Sequence, residues 1–261
     1  MRSLLYLCRT LEKNSRCRSW RSTSDYYTAC FTESIANLRE LPSASRILCE
    51  LKLSARLILY YARLLDDIVD GHAVKDQTLI ALAEKGLAAA REKLVQLVRD
   101  EEFSRLFDRL IRTSIDAFWQ RHRGLLTSPR SGGRMSMFLA ITPAVACYLT
   151  GTVAHVKSWI AIVRHTMNGI QLTDDLLDWE EDLKDGVLTP VTTILLSVAS
   201  KEERTTHLNY LIQVAEEEFT AAERMASHIG ANSWKEACRI WRSAIIHDRT
   251  GPQRLLSAIM A

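Results

Sequence analysis

The chain has 261 residues, of which 47% are hydrophobic, so it can bury a core, and this excludes a disordered tail and a disulfide-stapled miniprotein. Its 10 Gly and 5 Pro are too few for the many tight turns of an all-β fold, and the composition favours helices. The net charge of +3 arises in the first 25 residues, with six Lys/Arg and two Asp/Glu, and the nearly neutral remainder lacks the basic surface typical of nucleic-acid binding.

The basic N-terminal stretch differs in composition from the rest of the chain. We expect residues 1–25 to form a basic, loosely ordered segment, and an organelle transit peptide is the alternative interpretation. Residues 26–261 are expected to form a single α-helical domain. The six cysteines show no C-x-x-C spacing, which indicates reduced thiols and favours a cytoplasmic location.

Apolar residues recur with helical periodicity along the rest of the chain. Gly71 ends the second predicted helix, and Asp185-Gly186 ends the sixth, with Pro190 close behind. The second helix is apolar nearly all round over 51–65, so we expect it to lie at the centre of a bundle. The predicted helices lie near 27–40, 45–70, 76–99, 102–126, 134–150, 153–184, 190–198, 201–228 and 233–247.

One uncharged stretch of 20 residues, 135–154, is long enough to span a bilayer. It contains Pro143 and Gly151, two residues that interrupt helices. We therefore predict a buried helix with a break in this region and no transmembrane span.

Two aspartate clusters with the pattern D-D-x-x-D give the strongest indication of function. Residues 66–70 end the second predicted helix with DDIVD, and residues 174–178 carry DDLLD, followed by Glu181 and Asp182. Side chains four apart on a helix share a face, so each cluster forms a stripe of carboxylates. Repulsion within each stripe, and the negative helix C-terminus beside the first, favour a bound divalent cation over two solvated acidic helix ends.

The ligand chemistry indicates which cation these stripes would bind. Oxygen ligands without nearby His or Cys favour Mg²⁺, with Mn²⁺ as the alternative, and calcium is less suited because no EF-hand loop is present. Mg²⁺ held by one or two carboxylates completes its shell with water and phosphate oxygens, which predicts a phosphate or diphosphate ligand. The predicted metal ligands are Asp66, Asp67, Asp70, Asp174, Asp178 and Asp182.

Two sequence blocks resemble the class I isoprenoid synthase superfamily. Residues 61–71, YARLLDDIVDG, are similar to the first motif of squalene and phytoene synthases, and residues 169–178, GIQLTDDLLD, are similar to the second motif of the superfamily. The continuation over 181–190 resembles the chain-elongating prenyl diphosphate synthases. The resemblance implies an all-α, single-domain bundle around a central cavity, in which both motifs bind a prenyl diphosphate through three Mg²⁺ ions.

The resemblance also implies an activity, that of a Mg²⁺-dependent class I terpene synthase. Such an enzyme ionises an allylic prenyl diphosphate of C10 to C20, releases diphosphate, and cyclises or quenches the carbocation. The alternatives are head-to-head coupling of two prenyl diphosphates, then chain elongation, or a non-catalytic prenyltransferase subunit. The Arg-Arg pair and Gly-Gly-Lys segment of chain-elongating synthases are not visible in this sequence, nor is the N-D-x-x-S-x-x-x-E motif of microbial terpene cyclases. Substrate length, product and homodimer formation stay open.

Further side chains are assigned from their positions beside the motifs. Arg63 lies one turn before Asp66 and is predicted to contact the diphosphate or to pair with that carboxylate. Gln171 lies one turn before Asp174 and is predicted to orient it by a hydrogen bond. The predicted diphosphate-binding residues are Arg63, Arg164, Gln171 and Lys184.

The predicted catalytic residues are Asp66, Asp67, Asp70, Asp174, Asp175 and Asp178. Aromatic candidates for facing a carbocation, with core packing as the alternative, are Tyr60, Tyr61, Phe118, Trp119, Phe138, Trp159 and Trp179.

Overall fold

The structure, a computed structural model, describes residues 1–34, 36–69, 77–126 and 128–247. Within these ranges the chain forms eleven α-helices, three 3₁₀ helices and no β-strand, which confirms the all-α prediction. The α-helices are α1 Arg2–Leu11, α2 Ser15–Ser34, α3 Ala44–Val69, α4 Gln77–Val98, α5 Glu101–His122, α6 Ile141–Leu149, α7 Val156–Leu177, α8 Trp179–Asp185, α9 Pro190–Ser197, α10 Lys201–His228 and α11 Asn232–His247. The 3₁₀ helices are Ala36–Glu40, Gly132–Ala140 and Val153–His155.

Helix α3 lies at the centre of one half of the bundle, as its apolar sequence predicts. It packs against α1, α2, α4 and α5, and its buried side chains include Leu51, Leu57 and Leu64. Burying apolar surface lowers the free energy of folding, so a helix that is apolar on every face is stabilised when neighbours cover most of its sides. Asp66 and Asp67 of the first aspartate cluster follow directly on this buried stretch and are therefore held at the end of a well-packed helix.

Helix α7 organises the other half of the bundle and carries the second cluster. It packs against α10 and against the 3₁₀ helix Gly132–Ala140. A Cβ atom at Gly169 would lie 2.8 Å from the ring of Phe219, so only glycine allows α10 to approach this closely. On the other side, the backbone N–H of Gly133 donates to Oδ1 of buried Asn168 at 2.6 Å. These contacts fix the rotation of α7 about its axis.

The N-terminal segment differs from the expectation of a loosely ordered stretch. Residues 2–11 and 15–34 are helical, and Leu4, Cys8 and Leu11 are buried against α3 and α4. The guanidinium of Arg56 binds both carboxylate oxygens of Asp25, each at 2.9 Å, and so joins α2 to α3. Arg2, Arg9, Arg18 and Arg21 are exposed on helices whose apolar faces belong to the core.

The uncharged stretch 135–154 is broken near Gly151, as predicted, whereas Pro143 does not interrupt its helix. A 3₁₀ helix precedes α6, and Pro143 lies in the first turn of α6, where its missing N–H leaves no helical hydrogen bond unmade. Gly151, with φ of +73°, follows the end of α6. No helix in the part of the chain that the structure describes is long and apolar enough to cross a membrane.

The long predicted helix 153–184 is divided at Asp178, where the backbone leaves the helical region (φ −100°, ψ 11°) and α8 begins. The helical spacing of Asp174, Asp178 and Asp182 is nevertheless kept across this division. The N–H of Asp178 donates to the carbonyl of Asp174, and that of Asp182 to the carbonyl of Asp178, both at 2.9 Å. Gly186, with φ of 71°, then ends α8 in the left-handed conformation, as Asp185-Gly186 predicts.

Candidate functional site: a carboxylate-lined cleft

Aspartates of both clusters line one cleft of about 230 Å³. Its walls are the last turns of α3, the last turn of α5, and the junction between α7 and α8. Helix packing thus brings Asp66 and Asp67 to the same cleft as Asp174 and Asp178, although the two pairs are far apart in the sequence. The carboxylates on the walls are Asp66, Asp67, Asp174, Asp178, Glu181, Asp182 and Asp185. The other polar lining residues are Arg63, Arg121 and Gln171.

The first wall combines carboxylates with one guanidinium. Nη1 of Arg63 donates to Oδ2 of Asp66 at 2.8 Å, one helical turn away, as the spacing predicts. The Arg63 side chain is 49% exposed, so it can also turn towards a ligand in the cleft. Asp67 lines the same wall. Asp70, the third predicted ligand of this cluster, lies outside the described residues.

The second wall differs from the prediction in one respect. Asp174, Asp178 and Asp182 face the cleft, whereas Asp175 is buried behind it and accepts a hydrogen bond from Nε2 of Gln171 at 2.9 Å. Gln171 was expected to orient Asp174, but a residue four positions on lies closer to the same helical face than a residue three positions on. Asp175 therefore supports the wall from behind and has no direct access to a ligand in the cleft.

The ionised form of the second-wall carboxylates is disfavoured by burial and by their mutual repulsion. Burial raises the pKa of Asp182 to about 7, and repulsion from Asp175, Asp178 and Asp174 adds to this effect. Burial likewise raises the pKa of Asp175 to about 6. Desolvation within the cleft, together with repulsion from Asp178, raises the pKa of Asp174. A cation in the cleft would relieve these penalties and favour the ionised carboxylates.

Arg121 is a functional candidate that the sequence interpretation missed. Its side chain is 16% exposed, and its Nη1 atom lies 3.5 Å from Oδ1 of Asp175. Its charge lowers the pKa of Asp174 and of Asp182, against the effect of burial. The sequence could have indicated this role. Arg121 continues the buried stripe of α5 that contains Ala117 and Phe118, and a charged residue in a buried stripe is costly unless it has a charged partner or a ligand.

Two predicted diphosphate contacts lie away from the cleft. Arg164 precedes Asp174 by ten positions on α7, a distance of about 15 Å along the helix axis, and lines a different cavity. Lys184 is exposed on α8 and is absent from the residues that line the cleft. Two positions beyond Asp182, it projects from another face of the helix, since residues i and i+2 do not share one.

The aromatic candidates mostly fill the core. Tyr60 is buried and donates its hydroxyl to Glu12 at 2.8 Å, and buried Trp159 packs edge-on against Phe31. Phe138 lines an apolar void of only about 10 Å³ between α2, α3 and the 3₁₀ helix Gly132–Ala140. That space suits one water molecule at most, so Phe138 packs as a core residue there, like Tyr60 and Trp159, and does not line a cavity for a prenyl chain.

The donor set can be tested for a metal ion. Across residues 1–34, 36–69, 77–126 and 128–247, no three His, Cys, Asp or Glu side chains lie close enough together to hold one ion. Mg²⁺, however, is commonly held by one or two carboxylates, and water and phosphate oxygens supply its other ligands. Carboxylates on two walls, with raised pKa values at Asp174 and Asp182, fit that kind of site.

No protein-family model matches this chain, and no curated protein matches its sequence. The function proposed below therefore rests on the residues of the cleft and on the two motifs.

Proposed function

We propose that this chain is a Mg²⁺-dependent class I terpene synthase, which ionises an allylic prenyl diphosphate and cyclises or quenches the resulting carbocation. The observation that carries the proposal is that aspartates of both D-D-x-x-D motifs, Asp66 and Asp67 of the first and Asp174 and Asp178 of the second, line one cleft. Two solvated acidic helix ends would have no reason to meet in this way. The superfamily that the motifs resemble uses such a pair to bind a metal–diphosphate complex.

The proposed role of the carboxylates is to hold the metal ions and, through them, the diphosphate. Asp66 and Asp67 act from the wall of α3, and Asp174, Asp178 and Asp182 act from the opposite wall. When bound, Mg²⁺ supplies the positive charge that stabilises the departing diphosphate as the allylic C–O bond breaks. The buried carboxyl of Asp175 positions Arg121 and Gln171 and does not bind metal in this proposal.

The two guanidinium groups complete the diphosphate site. Arg63 is half exposed at the edge of the cleft, and its planar group can donate two hydrogen bonds to diphosphate oxygens. Arg121 approaches from α5 and is held by Asp175, so it meets the ligand in a fixed orientation. Charged groups fixed before the reaction stabilise developing charge without having to reorganise.

A second candidate is head-to-head coupling of two prenyl diphosphates. Residues 61–71 favour it, because the Arg three positions before the first Asp is shared with squalene and phytoene synthases. The single described cleft with paired carboxylate walls favours one diphosphate at a time and hence the first candidate.

The experiment is product analysis after incubation of the full chain with geranyl, farnesyl and geranylgeranyl diphosphates, in Mg²⁺ and in EDTA. Mass spectrometry should detect cyclic or alcohol terpenes that require Mg²⁺. A symmetric condensed hydrocarbon would instead establish coupling, and a longer diphosphate would establish chain elongation. If the folded chain consumes none of the three substrates in Mg²⁺, the proposal is wrong.

A further inference from the structure

A second cavity, of about 630 Å³, opens beside the N-terminal half of α7. Its walls come from α5, α7, α10 and the 3₁₀ helix Gly132–Ala140 with the loop before it. It shares no lining residue with the carboxylate cleft. Its volume lies within the range of about 300–1,000 Å³ that is typical of small-molecule sites.

The rim of this cavity is basic. Arg109 on α5, and Lys157 and Arg164 on α7, are exposed on the rim, and none of them forms an ion pair with any residue that the structure describes. Arg134 also lines the cavity, and its Nη1 atom donates to the amide oxygen of Gln120 at 3.3 Å. Like charges gathered around one opening repel each other, and an anionic ligand would remove that cost.

Glu218 is the one acidic side chain among the described residues that line the cavity, and it does not neutralise this rim. Glu218 is 1% exposed at the base, where it is bound by Arg130, by Nδ1 of His165 at 2.8 Å and by Nδ2 of Asn168 at 3.0 Å. Burial opposes its ionisation, but these donors outweigh burial and lower its pKa. Glu218 therefore stays ionised, with its charge already matched at the base.

Apolar side chains form the rest of the interior. Leu110 and Met137 are buried at the base, and Ile160 is partly buried beside them. A ligand that fills this space therefore meets cations at the opening and hydrocarbon further in. A compact cavity of this size suits a small molecule better than the extended backbone of a nucleic acid.

We propose that this basic cavity binds a phosphorylated amphiphile, a phosphate or diphosphate ester whose apolar portion contacts Leu110, Met137 and Ile160. Arg109, Lys157 and Arg164 bind its phosphate group. Three unmatched cations suit a phosphate dianion better than a singly charged carboxylate. The site is independent of the reaction proposed for the carboxylate cleft.

Binding is measured by calorimetry on the full chain in EDTA, where no metal can recruit an anion to the cleft. The probes are decyl phosphate, inorganic phosphate, decanol and decanoate. Decyl phosphate should bind at least about tenfold more tightly than each of the other three. Inorganic phosphate lacks the alkyl chain, decanol lacks the charge, and decanoate carries one negative charge where the phosphate monoester carries up to two. No binding of decyl phosphate, or equal binding of decanoate, would overturn the proposal.

Variants locate the binding. Arg164→Gln and Lys157→Gln should each weaken decyl phosphate binding roughly tenfold, and Lys157→Arg should restore it. Arg112→Gln is the matched control, because Arg112 is exposed on α5 but does not line the cavity. Asp178→Asn, in the cleft, should leave this binding unchanged, which separates it from the proposed reaction. Equal affinity in Arg164→Gln and Arg112→Gln would place the ligand elsewhere and contradict the assignment.

A membrane lipid and a soluble phosphate ester are distinguished by offering the phosphate group either in vesicles or as a monomer. Vesicles of phosphatidylcholine containing phosphatidic acid test a lipid headgroup, and monomeric decyl phosphate tests a free ligand. Co-sedimentation that Arg164→Gln abolishes would identify a membrane lipid as the source. Binding of the monomer without co-sedimentation would identify a soluble ligand, and either result supports the site.

Discussion

Nη1 of Arg121 lies 3.5 Å from Oδ1 of Asp175, and this pair joins the last turn of α5 to the last turn of α7 behind the cleft. Asp175 is 2% exposed in its side chain and also accepts from Gln171, so it anchors two groups that line the cleft. The pair thus stabilises the carboxylate wall from behind. Asp175 was predicted as a catalytic residue and has a supporting role instead, and Arg121 was not predicted.

Arg121→Gln is expected to lower the free energy of unfolding by about 1–3 kcal/mol, because it leaves a buried carboxylate without its cation. Urea denaturation at pH 7.5 in EDTA measures this loss. Arg112→Gln, which removes an exposed charge from the same helix, should change stability by less than about 0.5 kcal/mol. Equal stability of the two variants would show that the pair contributes nothing.

The contact between Asp25 and Arg56 should make the attachment of α2 dependent on pH. Burial raises the pKa of Asp25, but the hydrogen bonds and charges of Arg56 and Lys52 together outweigh it, and the pKa is lowered overall. The folded chain therefore binds fewer protons than the unfolded chain, so this stabilisation is present above the unfolded value of 3.8 and is lost as pH falls through the lower folded pKa.

Asp25→Asn should accordingly reduce the free energy of unfolding by about 1 kcal/mol at pH 7, and the difference from wild type should shrink as pH falls below about 4. Urea titrations across this pH range test it. Asp116→Asn, at an exposed position of α5, is the control. A difference that grows towards acid pH would mean that folding raises the pKa of Asp25, contrary to this account.

Gly169→Ala is expected to destabilise the chain by about 1–3 kcal/mol, because the added methyl would stand 2.8 Å from the ring of Phe219. Phe219→Leu should create room for it. The double variant should then lose less stability than the sum of the two single losses, by at least about 0.5 kcal/mol. Strict additivity, measured by denaturation, would show that α7 and α10 do not meet at this contact.

Local sequence signals predicted several elements closely, and helix α10 shows why. The expected range 201–228 matches Lys201–His228, because the hydroxyl of Ser200 caps the first turn and accepts from the N–H of Glu203. The all-α class and the end of α8 at Gly186 follow in the same way from propensity and capping. Such features depend on a few neighbouring residues and can be recognised without knowledge of the packing.

Features that depend on packing could not be recognised in this way. The position of Arg164 at a separate cavity depends on how α5 and α10 surround α7, and the assignment to the diphosphate used its charge alone. The basic residues near the N-terminus hid the buried stripe of Leu4, Cys8 and Leu11, which recurs at helical spacing. Asp175 lay within the recognised motif, but only the rotation of α7 decides which carboxylates face the cleft.

The most direct test of the central claim is the rate of diphosphate release from farnesyl diphosphate, in Mg²⁺ and in EDTA, by wild type, Asp66→Asn, Asp178→Asn and the control Asp116→Asn. The two cleft variants remove one carboxylate from each wall. We expect Mg²⁺-dependent release by wild type and by Asp116→Asn, and a rate at least about 100-fold lower in either cleft variant. Release at the wild-type rate by folded Asp66→Asn and Asp178→Asn, or release that EDTA leaves unchanged, would contradict the assignment of this cleft as a metal–diphosphate site.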